Sequence, residues 1–127
     1  MLRISKLTDY AVVIVTHLYE RANERLTATS IADATQLSNP TVKKVLRLLL
    51  VAGLVESEQG VAGGYTLSRD EKQITVSQVI EAIEGSFAIT ECSLENGGCD
   101  KQLQCRVSSH WQTINAIILK TLNNITI

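Results

Sequence analysis

The residues of this chain best suited to chemistry are its three cysteines, Cys92, Cys99 and Cys105, which share one glycine-containing segment. Three thiols cannot all pair as disulfides within one chain. Clustered thiolates are soft ligands that hold zinc or the irons of an iron–sulfur cluster. The intervening stretches of six and five residues exceed the roughly two to four of many structural zinc sites. The segment therefore predicts an iron–sulfur site.

Two other chemistries are compatible with the same cysteines. Zinc is one alternative, although structural zinc sites favour cysteines about two to four residues apart and the longer gaps argue against it. Neighbouring thiols can also form one disulfide and leave the third cysteine free, which would make a redox switch without metal. All the cysteine of the chain lies in this segment, so we expect it to be functional rather than inert.

The composition is that of one soluble domain of 127 residues, with 45% hydrophobic residues, 20% charged residues and a net charge of -1. No apolar run approaches the roughly 20 residues that a membrane-spanning helix needs. The apolar stretch from Tyr10 to Tyr19 is flanked by Asp9 and contains His17, which favours a core helix over a signal peptide. We therefore expect a cytoplasmic protein with no membrane association, in a compartment where clustered cysteines bind metal more often than they form structural disulfides.

Charge is distributed unevenly along the chain. Between residues 38 and 53 there are three basic residues and no acidic ones, whereas residues 54–105 contain nine acidic residues and three basic ones. A local basic patch on an otherwise acidic protein is typical of a surface that binds nucleic acid. The three cations are Lys43, Lys44 and Arg47.

The elements that position these residues are mostly helices. Apolar spacing and capping residues predict five of them. The first is expected from about Ser5 to Ala22, and the last from about Arg106 to Leu122. The second begins at an N-cap at Thr29, and the third at an N-cap at Asn39 followed by Pro40. The fourth begins at a Thr75–Gln78 capping box and ends at Gly85.

Between the third and fourth helices the apolar period changes to that of strands. Residues Leu54–Glu58 and Tyr65–Ser68 predict two short strands, joined by a glycine-rich tip. This order predicts a mainly α fold with a small β-hairpin wing, which is a winged helix-turn-helix with a long C-terminal dimerisation helix. The expected parts are a DNA-binding domain over 1–85, a cysteine-rich cluster-binding loop over 86–105, and a dimerisation helix and tail over 106–127.

The third helix has the pattern expected of a recognition helix. Its apolar residues are spaced to face inward, and its basic residues remain outside, where they can meet the major groove of double-stranded DNA. The glycines of the hairpin tip would let the backbone approach a phosphate. The predicted DNA-binding residues are Ser38, Asn39, Thr41, Lys43, Lys44, Arg47, Gln59, Gly60, Gly63 and Gly64.

The last helix carries an apolar stripe with no partner within its own segment. Such a stripe predicts a homodimer, which would hold two recognition helices about 34 Å apart and read a pseudo-palindromic promoter sequence. The stripe consists of Val107, Trp111, Ile114, Ile118 and Leu122.

The opening Met1–Tyr10, the wing Gly60–Leu67, the three-cysteine segment and the ending Leu122–Ile127 resemble the Rrf-type winged-helix regulators of bacteria. The resemblance covers nearly the whole chain, and the opening is most similar to that of the regulators of SUF-type iron–sulfur cluster assembly. It implies a homodimeric winged helix that binds promoter DNA and carries a [2Fe–2S] or [4Fe–4S] cluster on Cys92, Cys99 and Cys105.

The fourth ligand is where this chain departs from part of the family. Members similar to IscR have a histidine three residues after the last cysteine, where this chain has Ser108, and His110 follows two residues later. Members similar to NsrR have an aspartate in a Thr-Asp-Tyr opening that reaches the cluster of the other subunit. Because Thr8-Asp9-Tyr10 matches that opening, the resemblance implies Asp9 in trans, with His110 as the alternative. Gln59 stands where relatives often have an arginine before the first wing glycine.

The residues and the resemblance together predict a cluster-sensing transcriptional regulator, and the resemblance implies a repressor of SUF-type assembly genes. The alternatives within the family are a repressor that senses nitric oxide or redox state, and a regulator with a zinc or thiol switch in place of the cluster. A thiol oxidoreductase and a partner-binding winged-helix scaffold are the rivals outside it. The chain lacks a close Cys-x-x-Cys pair and an acid–base constellation, so we expect no enzyme.

Overall fold

The computed structural model describes residues 3–61, 63–68, 74–85 and 108–127. Cys92, Cys99, Cys105 and Val107 lie outside the described residues. Within the described ranges the chain folds into helices and one hairpin. These are α1 (Lys6–Glu20), α2 (Ala28–Thr35), α3 (Asn39–Val51), β1 (Val55–Glu58), β2 (Gly64–Leu67), α4 (Val76–Glu84) and α5 (Ser108–Asn123).

Helix boundaries follow the caps, and two predicted caps were wrong. The N-cap of α2 is Thr27, whose side chain accepts a hydrogen bond from the Ser30 N–H, and not Thr29. The N-cap of α3 is Ser38, so that Asn39 already belongs to the helix. In both cases the residue with extended backbone and a hydroxyl aimed at the N–H three residues later is the cap, and the sequence offered two neighbouring polar candidates.

The β-hairpin is antiparallel, and Val55 pairs with Leu67 while Glu58 pairs with Gly64. A third segment joins it, because Leu26 exchanges two backbone hydrogen bonds with Tyr65, at 3.1 and 2.7 Å. The segment between α1 and α2 is therefore attached to β2, at the end of the hairpin next to its tip. The position of the wing relative to the helices is fixed by this attachment.

The hydrophobic core lies between α1, α2, α3 and α4. Helix α3 buries the face that its spacing predicted, and α1 and α4 contribute the apolar residues expected of them. The largest wholly buried side chains include Ile14, Leu18, Ile31, Leu46, Leu49, Ile74 and Ile80. The fold is mainly α with a small hairpin wing, as the sequence predicted.

The capping box of α4 is present as predicted. Thr75 accepts from the Gln78 N–H at 3.2 Å, and the Gln78 side chain accepts from the Thr75 N–H at 2.8 Å. The chain end returns to this point, since the Val76 N–H donates to Ile125 O at 2.9 Å and the Ile127 N–H to Ile74 O at 3.0 Å. The segment that follows α5 is thereby bound to the start of α4, against which α5 packs.

Candidate nucleic-acid interface

Helix α3 presents a cationic face to solvent. Val42, Val45, Leu46 and Leu49 are wholly buried, while Lys43, Lys44 and Arg47 are exposed. Among the described residues no carboxylate forms an ion pair with any of these three cations, because the ion pairs there are Arg21–Glu24 and Arg25–Glu58. The positive charge of this face is therefore available to an external anion.

The start of α3 is shaped by an internal hydrogen-bond pair. The Ser38 hydroxyl donates to Thr41 Oγ1 at 2.8 Å and accepts from the Thr41 N–H at 3.4 Å. Asn39 and Pro40 beside them are exposed. Ser38 and Thr41 thus hold the first turn together, and the neighbouring side chains project beyond it.

Close backbone packing requires glycine at two positions of the wing. A Cβ at Gly63 would lie 2.2 Å from the Glu58 carbonyl oxygen, and one at Gly64 would lie 2.8 Å from the Leu26 carbonyl oxygen. Gly60 has a φ of 114° but open space around the missing Cβ. Close backbone packing accounts for Gly63 and Gly64, while Gly60 stands free at the tip.

The wing carries little positive charge. Among the described residues Arg25 reaches the wing, where it is paired with Glu58. Gln59 and Val61 are exposed, so the tip offers an amide and an apolar group. Any strong attraction between phosphate and the described part of this interface must come from α3.

A second region joins the beginning of α1 to the end of α4. The Glu84 carboxylate oxygen Oε1 accepts from the Ser5 N–H at 3.0 Å and from the Thr8 hydroxyl at 2.7 Å. Hydrogen bonds from Ser5 and Thr8 lower the pKa of Glu84. Asp9 follows in the next position of α1, and its side chain is exposed.

The structure describes two of the candidate cluster ligands. Asp9 and His110 are exposed at the starts of α1 and α5, and the three cysteines lie outside the described residues. Within the described residues no group of three or more His, Cys, Asp or Glu side chains could hold a metal. Glu84 lies 8 positions before Cys92, so the Ser5–Thr8–Glu84 group is close to the cysteine segment along the chain.

The structure divides the predicted apolar stripe of α5. Ile118 and Leu122 are half-buried, whereas Trp111 and Ile114 are exposed. Ile117, which lies beside the predicted stripe, is the most exposed of the large apolar residues of α5, at 61%. The uncovered apolar surface of this helix therefore centres on Trp111, Ile114 and Ile117.

No helix among the described residues is long and apolar enough to cross a membrane. The described geometry defines a winged helix-turn-helix protein whose third helix has a cationic face. Residues 4–127 match the Rrf2 family, described as iron-dependent transcriptional regulators. The chain belongs to this family, and its relatives are regulators rather than enzymes.

Individual relatives agree with the family. The chain is 33% identical to the transcriptional regulator IscR of Cronobacter sakazakii over 76% of its own length and 59% of that protein. It is 34% identical to protein aau3 of Rhizobium meliloti, over 96% of this chain and 75% of that one. The chain thus spans about three-fifths of the length of the IscR sequences that it matches.

Solved structures of regulators have the same fold. The structure of T. potens IscR superimposes with a TM-score of 0.74 at 28% identity, covering 98% of this chain and 82% of that one. The structure of CymR, the global cysteine regulator of B. subtilis, gives 0.74 at 26% identity, covering 99% and 93%. The chain therefore shares its fold with T. potens IscR and with a regulator of cysteine.

Sequence reasoning missed the Ser5–Thr8–Glu84 group and the attachment of Leu26 to the wing. Ser5 and Thr8 have the spacing of an N-cap, which was a usable signal for one half of the first. The partner Glu84 lies 79 residues from Ser5. Nothing in a single sequence indicates such a distant pair.

Proposed function

We propose that this chain is a DNA-binding transcriptional repressor that acts as a homodimer on a pseudo-palindromic promoter site. The observation that carries the proposal is the face of α3 with three exposed cations and no ion pair among the described residues. Cations on a recognition helix supply salt-sensitive affinity for phosphate and can also contact base edges. The family membership supports the same function.

We further propose that an iron–sulfur cluster is the signal-sensing group, with Cys92, Cys99 and Cys105 as its ligands. The donor set fits, because three thiolates with one exposed carboxylate or imidazole supply four ligands of suitable type. Asp9 from the second copy of the chain is the preferred fourth ligand, and His110 is the alternative. The Asp9 carboxylate is exposed, and within the described part of the chain it makes no hydrogen bond and no ion pair. This carboxylate is therefore available as a ligand, which supports the proposed role.

A cluster with one weak ligand supplies a site that oxygen, nitric oxide or iron shortage can disrupt. The residues that would transmit its loss are those of α4, which precedes the cysteine segment. Helix α4 packs against α3 and α1, and Ala52 and Leu54, which directly follow α3, line one surface depression together with Gln78 and Ala82. A shift of α4 would therefore reach the recognition helix directly.

The proposed targets are the genes of SUF-type cluster assembly, by resemblance of the opening segment. A repressor that senses nitric oxide or redox state is the alternative with the same site. A zinc or thiol switch is the second alternative, since the same three thiols serve all three chemistries.

The signal-sensing half is tested by anaerobic purification with visible absorption and with iron and sulfide analysis. Matched iron and sulfide would support the cluster and set its type, while colourless protein after reconstitution would leave zinc or thiol sensing. Asp9→Ala should make the cluster more labile. Asp33→Ala, which removes an exposed carboxylate from α2, is the matched control and should not.

The DNA-binding half is tested by measuring the affinity for the chain's own promoter region at several salt concentrations. The triple variant of Lys43, Lys44 and Arg47 to alanine should lose binding by at least about 100-fold at low salt. Arg21→Ala, which removes an exposed cation at the end of α1, should change affinity less than about 3-fold. Unchanged binding by the triple variant would favour a partner-binding scaffold.

A further inference from the structure

The burial pattern of α3 fixes which of its exposed residues point most directly away from the protein. Successive helical residues rotate by about 100°, and Val42, Val45, Leu46 and Leu49 define the inward direction. Opposite them stand four residues at spacings of four, three and four along the helix. This outer ridge consists of Pro40, Lys44, Arg47 and Val51, all of them exposed.

Lys43 and Lys44 differ in direction although they are neighbours of the same type. Lys44 and Arg47 lie within about 30° of the outward direction, whereas Lys43 lies about 70° from it, on the flank of the helix. A helix in the major groove points its outer ridge at the base edges, and its flanks face the phosphates on either side. The two lysines therefore meet different parts of a duplex.

The chemistry of the ridge selects particular bases. Lysine and arginine donate to the O6 and N7 acceptors of guanine, and an apolar group without a donor contacts the methyl group of thymine. Proline has no backbone N–H and an apolar ring, so Pro40 belongs to the second class. The lysine and arginine side chains have no acceptor, so they cannot accept the hydrogen bond that the amino groups of cytosine or adenine offer.

We propose that Lys44 and Arg47 read guanine bases in each half-site and that the Pro40 ring contacts a thymine methyl group, whereas Lys43 binds phosphate. The inference rests on the proposed DNA-binding function and deepens it. Lys44 and Arg47 are separated by about 4.5 Å along the helix axis, and base pairs by about 3.4 Å. The two G·C pairs therefore lie within about two steps of each other, with the T·A pair on the side of the helix N-terminus.

The ionic environment of the ridge supports this assignment. Arg47 and Lys44 have no ion-pair partner among the described residues, so neither must break an internal bond to reach a base. The first turn below them is held by Ser38 and Thr41, which keeps the ridge in a defined position. The wing offers Gln59 rather than a described unpaired cation, so base discrimination falls mainly on α3.

The test starts with selection of bound duplexes from a randomised library by the wild-type full chain, in its anaerobically purified and cluster-free forms. Affinities are then measured for every single base-pair change in the selected half-site. Replacement of either guanine should cost the wild type about 5- to 150-fold. The same panel is measured for Lys44→Ala, Arg47→Ala and the matched control Lys43→Ala, with thermal unfolding to check each fold.

Lys44→Ala and Arg47→Ala should each abolish the preference at one guanine, to less than about 2-fold, and leave the other positions unchanged. Lys43→Ala should weaken all duplexes equally and reduce the slope of log affinity against log salt by about 1. Pro40→Gly, which removes the apolar side chain, should lose the preference for thymine over uracil at its position. Two results would overturn this inference while leaving the proposed function intact. The first is wild type that binds duplexes with no guanine preference, and the second is a guanine preference that survives in both Lys44→Ala and Arg47→Ala. Wild type that binds no duplex even at low salt would overturn the proposed function with it.

Discussion

Thr8 in α1 donates a hydrogen bond from its hydroxyl to the Glu84 carboxylate at the end of α4, over 2.7 Å. Thr8 is wholly buried, and the same oxygen of Glu84 also accepts from the Ser5 N–H. A carboxylate at a helix N-terminus satisfies a free N–H and interacts favourably with the helix dipole. Glu84, at the end of α4, thus caps α1. It also holds the start of α1, which carries Asp9, close to the point where the chain leaves α4 toward the cysteine segment.

Thr8→Val should destabilise the protein by about 1 kcal/mol, because it removes a buried donor while keeping the shape of the side chain. The measurement is the free energy of unfolding in urea. Thr29→Val provides the control, since it makes the same change at an exposed position in α2. Equal effects of the two changes would show that the bond to Glu84 contributes nothing.

The Glu84 contribution should depend on pH. Its pKa in the folded chain lies below the ordinary value of 4.5, so the ionised form stabilises the fold. That stabilisation is complete above the unfolded pKa and is lost as the pH falls through the folded pKa. Comparison of thermal unfolding for wild type and Glu84→Gln should give a difference at pH 7 that shrinks below about pH 4.5.

Glu81→Gln is the matched control for this pH series, because it removes an exposed carboxylate one turn earlier in α4. Its unfolding temperature should remain closer to that of wild type at pH 7. A Glu84→Gln difference that grows as the pH is lowered from 5 to 3 would contradict the assigned direction of the pKa change.

Gly64→Ala should destabilise the chain more than Gly60→Ala. Both glycines have positive φ, 152° and 114°, but only at Gly64 would the new Cβ meet backbone, 2.8 Å from the Leu26 carbonyl oxygen. The shared cost of positive φ is about 1–3 kcal/mol, and the clash at Gly64 adds to it by disturbing the Leu26–Tyr65 hydrogen bonds. Chemical denaturation of the two variants gives the difference directly, and equal values would contradict the close approach.

Ile114→Asp and Ile117→Asp should each convert a dimer to a monomer at micromolar concentration in sedimentation velocity. Both residues are exposed on α5, at 41% and 61%, and a charge on each chain at a dimer interface is strongly unfavourable. Val61→Asp alters an equally apolar and more exposed residue at the wing tip and should leave the dimer intact. A dimer that tolerates both α5 changes would place its interface elsewhere.

Much of the fold could be predicted from local patterns. The i, i+3, i+4, i+7 spacing from Val42 to Leu49 specified the buried face of α3, and the Thr75–Gln78 capping box specified the start of α4. These signals are local because a helix repeats every 3.6 residues and a cap satisfies an N–H two or three positions away. The predicted N-cap was wrong by one or two residues where two polar residues are close together in the chain, as at Thr27 and Thr29.

The sequence by itself therefore determined the order of helices and hairpin, the acid-free cationic helix and the single cysteine segment. Only the tertiary structure decided that Glu84 meets Thr8, that Leu26 secures the wing at Tyr65, and that Ile118 and Leu122 are half-covered while Ile114 and Ile117 are not. The physical reason is that capping and amphipathic spacing act between residues close in the chain. The partners of Glu84, Leu26 and α5 are set by how whole elements pack, which brings together residues dozens of positions apart.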